Sequence, residues 1–166
     1  MKNISRFPNA GLPFGYRFFP TGEELILDYL FPKVHGNPLP CPTAVIDCDI
    51  YGGDIRAWKC LFEESEEEEE EDTLYFFAKL KKKKKKSEKR VTSYGAWRSR
   101  GSEKKIYLDG NERLHVGSHR RFSLKPKTGV EITGRWVMHE YQLDGCLPDQ
   151  NDNKYTYVIC KIKKYE

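Results

Sequence analysis

No run of about 18 apolar residues occurs in the 166-residue chain, so no segment is long and apolar enough to cross a membrane as a helix. The opening stretch MKNISRFPNAGLPFG has no apolar signal-peptide core, and the expectation is a protein that stays inside the cell. Cysteine is sparse. Cys41, Cys48, Cys60, Cys146 and Cys160 are an odd number without short paired spacing, which fits reduced thiols. His115 and His119 have the H-x3-H spacing, but no C-x2-C precedes them, so a zinc finger and any other metal site are not expected. There is no P-loop, G-x-S-x-G or Gly-rich dinucleotide fingerprint. No catalytic set emerges, so the expectation is a protein that is not an enzyme and takes no cofactor or small-molecule substrate.

What the chain does have is aromatics and unevenly placed charge. Its 3 Trp, 10 Tyr and 9 Phe, with 13 Gly and 9 Pro, favour strands and turns over a helical bundle. The net charge of +4 conceals an asymmetry. Residues 1–62 balance 6 Lys/Arg against 6 Asp/Glu, residues 63–72 carry 9 acids and no base, and residues 73–166 hold 23 bases against 10 acids. Such a basic segment suits a polyanion, either nucleic acid or an anionic membrane. The membrane alternative lacks the amphipathic basic helix it would need, because the basic residues fall on strands and loops.

The pattern predicts a single α+β domain over residues 12–166, with a flexible arm at 1–11. Thr21 and Glu24 form a capping-box signature at the start of a helix, and Pro32 ends or kinks it. A second short helix is expected around Ile55–Leu61. Strands are expected at Leu74–Lys79, Trp97–Arg100, Lys105–Leu108, His119–Lys125, Arg135–Leu143 and Tyr155–Ile162, separated by Gly/Asp/Asn-rich turns. Together they make a few-stranded antiparallel sheet with the N-terminal helix packed on it.

Between Glu66–Glu71 and Lys81–Lys86 lies TLYFFAK, which reads as a strand. Like-charged blocks of this kind stay solvated, so an acidic loop is expected at about 63–72 and a basic loop at about 81–90. Seven strand residues span roughly 20 Å, beyond the Debye length of about 8 Å at physiological salt. The fold is therefore expected to hold the two blocks apart.

Six stretches, in order, resemble the motifs of the plant NAC transcription factors: LPFGYRFFPTGEELILDYL, VIDCDIY, LYFFAKLKKK, KRVTSYGAWRSRGSEKKI, RWVMHEYQL and YVICKIKK. They cover residues 12–164. The resemblance implies a twisted antiparallel sheet flanked by an N-terminal helix and a shorter one. It also implies a nuclear, sequence-specific DNA-binding regulator of transcription that pairs as a homodimer or as a heterodimer with related domains.

In that family the first motif mediates dimerisation, which points to Leu12, Pro13 and Phe14, with Arg17 and Glu24 as an intersubunit ion pair. The edge carrying WKATG enters the major groove, which here points to Arg98, Ser99, Arg100, Lys104 and Lys105. As strand residues two apart, Arg98 and Arg100 point to the same side, and arginine suits bidentate contact with guanine. Trp97 is expected as a core anchor. Arg90 matches the arginine of the family's NRxxG stretch that approaches DNA. Lys81, Lys82, Lys83, Lys84, Lys85 and Lys86 are expected as a phosphate clamp and an import signal, and Arg120 and Arg121 as further phosphate contacts, with Lys125 and Lys127 less well matched. The family's Tyr-Trp-Lys-Ala-Thr-Gly is replaced here by Ala96-Trp97-Arg98-Ser99-Arg100-Gly101, which leaves the preference for a CGT-type core open. It also motivates a rival reading, a heterodimerising, negatively regulating interaction module that binds DNA only without sequence preference.

Overall fold

Thr21 starts the first helix in the way its sequence predicts. The Glu24 amide donates to Thr21 Oγ1 and the Thr21 amide donates to Glu24 Oε1, each at 3.1 Å, so two otherwise orphaned N–H groups are satisfied reciprocally. This is a computed structural model, and it describes residues 17–63, 73–81, 89–145 and 155–165. Helix α1 comprises three successive stretches, Gly22–Glu24, Leu25–Leu30 and Phe31–Val34, of which the middle one is wound as a π-helix. Leu25, Ile26, Tyr29 and Leu30 are its buried face. Pro32 lies within the helix, which ends two residues later. Its ring crowds the carbonyl four residues before it, and the wider winding just upstream accommodates that crowding. The second helix, α2, spans Arg56–Glu63, and Asp54 Oδ1 accepts from the Arg56 amide at its start (2.9 Å).

The strands are β1 (Ile46–Asp47), β2 (Thr73–Lys81), β3 (Lys89–Val91), β4 (Gly95–Ser99), β5 (Lys104–Tyr107), β6 (His115–Pro126), β7 (Arg135–Leu143) and β8 (Tyr155–Tyr165). They form one curled sheet in the order β1-β2-β8-β7-β6-β4-β3, with β5 paired to the first half of β6. All pairings are antiparallel except β1 with β2, so the sheet is mixed rather than purely antiparallel. Each expected strand is present, several of them longer than their apolar pattern; β1 and β3 are additional.

Alternation along the strands makes the sheet two-sided. Leu74, Phe76, Ala78, Trp97, Phe122, Trp136, Met138, Val158, Cys160 and Ile162 face α2 and pack with its Trp58 and Phe62. Tyr75, Phe77, Val116, Tyr141, Leu143 and Ile159 face α1. Each fully buried Leu, Ile or Phe contributes about 1.5–3 kcal/mol. Gly117 on β6 lets α1 approach, since a Cβ there would lie 2.7 Å from the Ile26 side chain and 2.8 Å from the Gln142 carbonyl.

Three tryptophans meet under α2. The Trp58 ring lies 5.8 Å from Trp97 and 5.1 Å from Trp136, centre to centre. The polar edges of Trp58 and Trp97 converge on Tyr94, whose hydroxyl accepts from Trp97 Nε1 (3.0 Å) and Trp58 Nε1 (3.3 Å) and donates to the Ile50 carbonyl (2.8 Å), while Trp136 Nε1 donates to the Thr133 carbonyl (3.0 Å). This hydroxyl ties β4 to α2 and to the turn before it. Tyr94→Phe strands two buried indole donors and one carbonyl, and is expected to lower stability by about 1–3 kcal/mol in urea unfolding; an unchanged midpoint would show that these donors find other partners.

Candidate nucleic-acid interface

Helix α1 covers only one end of its face of the sheet, against β5, the start of β6 and the paired ends of β7 and β8. The other end of that face carries cations, because each strand contributes residues of one parity. One cross-strand row reads Arg121–His139–Lys161–Tyr75, and the next reads Arg98–Ser123–Val137–Lys163–Thr73. Arg98, Arg100, Arg121 and Lys125 are exposed. Arg100 is held over the same face, with its Nε donating to Ser123 Oγ (2.7 Å). Trp97, between Arg98 and Ala96, points the other way and is fully buried. Arg98 is thus carried by a strand whose inward side is locked by an aromatic cluster, and Arg100 follows just beyond its end.

His139 is the half-buried centre of the first row. Its Nδ1 lies 2.6 Å from His119 Nε2, the two rings stack, and His119 stacks in turn on Tyr141. Burial, then His119, then the Lys161, Arg121 and Lys163 cations hold His139 well below the usual imidazole value, at about 4. Burial and the Lys104, Lys161 and Arg121 cations lower His119 as well. Both rings are therefore neutral at pH 7.

The remaining expected site residues divide by strand parity. Arg120 lies on the α2 face, its guanidinium 5.2 Å from the Phe122 ring centre, so it and Arg121 cannot meet the same surface. Lys104 pairs with His119 on the α1 face, whereas Lys105 pairs with Ser118 on the other. Ser99 pairs with Phe122 on the α2 face, opposite to Arg98 and Arg100. Lys81 closes β2 at the end away from Thr73, eight strand residues or about 26 Å from the row containing Arg98. Lys82 to Lys86, Leu12, Pro13, Phe14 and residues 64–72 lie outside the described residues. Arg17 and Glu24 are both exposed at the start of α1, and Glu24 also closes the capping box.

Arg90 takes a different place from the one its motif implies. It is 9% exposed, and its Nε and Nη2 donate to Glu140 Oε2 (3.3 Å) and Oε1 (3.2 Å) beneath the sheet. We therefore leave it out of the contact surface. Lys125, already named from the sequence, lies on the basic face, and Lys161 and Lys163, which were not, lie there too; alternation with the apolar Ile162 is the signal that could have found them.

A family model described as No apical meristem (NAM) protein matches residues 13–143. The chain belongs to this family, the NAC family. NAC transcription factor 47 of Arabidopsis thaliana is 34% identical, over 97% of this chain and 51% of that protein. NAC transcription factor 56 of the same plant is 35% identical, over 95% and 45%. Protein CUP-SHAPED COTYLEDON 3 of A. thaliana is 31% identical, over 92% and 44%. The chain spans about half the length of the curated relatives it matches.

The depressed imidazoles give this NAC domain a pH signature. A histidine whose folded value is lowered binds its proton in the unfolded state first. Stability is therefore complete above about 6.5, the unfolded value, and falls as pH drops towards about 4. Urea midpoints at pH 7, 5 and 4 should fall more steeply in the wild type than in His139→Gln, and parallel curves would show that His139 titrates normally.

Proposed function

We propose that this chain is the DNA-binding domain of a nuclear transcription regulator, and that it meets the duplex with the uncovered end of its α1-side sheet face. The observation that carries this reading is the pair Arg98, on β4, and Arg100, just beyond its end, held over one side of the sheet while Trp97 anchors the other. Membership of a family whose relatives are named transcription factors supports it. In this reading Arg98 and Arg100 reach base edges in the major groove, where an arginine can donate to guanine O6 and N7 together. Arg121, Lys125, Lys161 and Lys163 contact phosphates, which position the protein without reading sequence. The lysine-rich stretch that begins at Lys81 is assigned further backbone contacts.

The test is fluorescence anisotropy with a duplex carrying a CGT core and a shuffled duplex, each at several salt concentrations. Specific binding should exceed the shuffled control by roughly 10³-fold or more. Arg98→Ala is expected to lose about 1–3 kcal/mol of base discrimination, whereas Arg121→Ala should weaken both duplexes alike and lower the salt slope by about 1. Equal affinity for every duplex tried would instead favour the interaction module.

The start of α1 supports a dimer. Arg17 and Glu24 are exposed there, and a two-fold axis would use such an ion pair twice. Because an exposed pair gives only about 0–1 kcal/mol, the apolar Leu12, Pro13 and Phe14 are assigned the larger share. Sedimentation of the full chain should show a dimer that Arg17→Glu shifts towards monomer; a wild-type monomer at every concentration would remove this part of the proposal.

A further inference from the structure

Edge strand β3 has an unusual anchor. It has three residues and, among the described residues, pairs only with β4, through Lys89–Arg98, Arg90–Trp97 and Val91–Ala96. Val91 is 74% exposed, and Arg90 enters the core. The strand is therefore seated by a guanidinium, where the longer strands are seated by apolar side chains. Its partner, Glu140, sits on β7, beyond both β4 and β6, and is 1% exposed.

Four donors converge on the two Glu140 oxygens. Oε2 accepts from Arg90 Nε and from the Tyr51 hydroxyl, while Oε1 accepts from Arg90 Nη2 (3.2 Å) and Gln142 Nε2 (2.8 Å). This number suits an ionised carboxylate, which only accepts. The Arg90 guanidinium also lies 5.2 Å from the Phe122 ring centre, and Phe122 belongs to β6. The side chain thus bridges β3 to both inner strands, passing under the strand that carries Arg98.

We propose that Arg90 is a positioning residue for duplex binding: its buried pair with Glu140 fixes the seating of β3, and through β3 that of β4, so Arg90 acts without touching DNA. The DNA part of this inference rests on the proposed function above; the seating of the strands does not. Glu140 discriminates between the two roles. If Arg90 met phosphate, replacing a nearby carboxylate with a neutral amide would leave binding unchanged or strengthen it. If the pair positions the strands, the same replacement weakens binding.

The experiment compares wild type, Glu140→Gln, Arg90→Lys and Tyr51→Phe in the full chain, at a temperature where melting curves show each to be folded. Affinity for the CGT-core and shuffled duplexes is titrated against salt, and hydrogen exchange is followed in the free protein. Glu140→Gln is expected to weaken core-duplex binding about tenfold or more, the scale of one charge-assisted hydrogen bond, with the salt slope unchanged. Exchange should quicken at the amides of β3 and β4 while β7 and β8 stay protected, and Arg90→Lys should retain part of both properties. Binding by Glu140→Gln as tight as wild type, with unchanged exchange, would overturn the proposal. Should Glu140→Gln not fold, Tyr51→Phe removes one of the four donors while keeping the ring. It must then move both readouts in the same direction, or the proposal fails. If the wild type binds no duplex, the functional reading falls, and exchange alone decides whether the pair seats the edge.

Discussion

An eight-stranded sheet has more face than two short helices can cover, and the rest of this molecule is arranged around that mismatch. Because successive side chains alternate between faces, every strand must supply apolar residues to both sides where helices lie and polar ones where they do not. On the α1 side the boundary runs along β7 and β8. Tyr141, Leu143 and Ile159 are buried under the helix, and a few residues along the same strands His139, Lys161 and Lys163 take over. The basic surface is therefore the part beyond α1 of a face that is hydrophobic at its other end.

Gathering cations on neighbouring strands has an electrostatic cost, which the histidine moderates. Arg121 and Lys161 stand two strand spacings apart, about 10 Å, close to one Debye length. A charged residue between them would create two contacts of about 5 Å, each unfavourable by roughly 0.8 kcal/mol even in bulk water and by more near the protein. The neutral His139, stacked on His119, fills the position without that repulsion. The face remains strongly positive, while cations along this row are kept one residue apart.

Much of the fold was legible because it is written in apolar periodicity and capping chemistry. Thr21 with Glu24, the aromatic run in β2 and the alternation in β7 and β8 each specify their own element. The second helix was readable from the residues around Trp58. Two strands were not readable, for physical reasons. β1 is a two-residue parallel pairing that no local pattern encodes, and β3 has no apolar face to detect. At the site, the emphasis on Arg98 and Arg100 rested on strand parity. The same rule separates Arg120 from Arg121 and Lys104 from Lys105, since adjacent strand residues cannot share a face. Arg90 illustrates a different limit. Its motif shows that an arginine is present there without showing which way it points. The available clue was Glu140, a carboxylate in step with Trp136 and Met138 on the core side of β7, which demands a buried donor.

A charged anchor at β3 also makes sense for an edge. A short strand at the open end of a sheet offers unpaired N–H and C=O groups to any other strand, and an apolar edge would add a hydrophobic reason to associate. Seating the strand through Arg90 removes the need for apolar side chains there. The arrangement has a further consequence. A hydrophobic contact tolerates small shifts, whereas a two-point guanidinium–carboxylate contact with its remaining lone pairs filled is satisfied in one geometry. The next strand inward is β4, which carries Arg98. The same buried pair thus keeps the edge from indiscriminate pairing and gives the adjacent strand a fixed reference to the centre of the sheet.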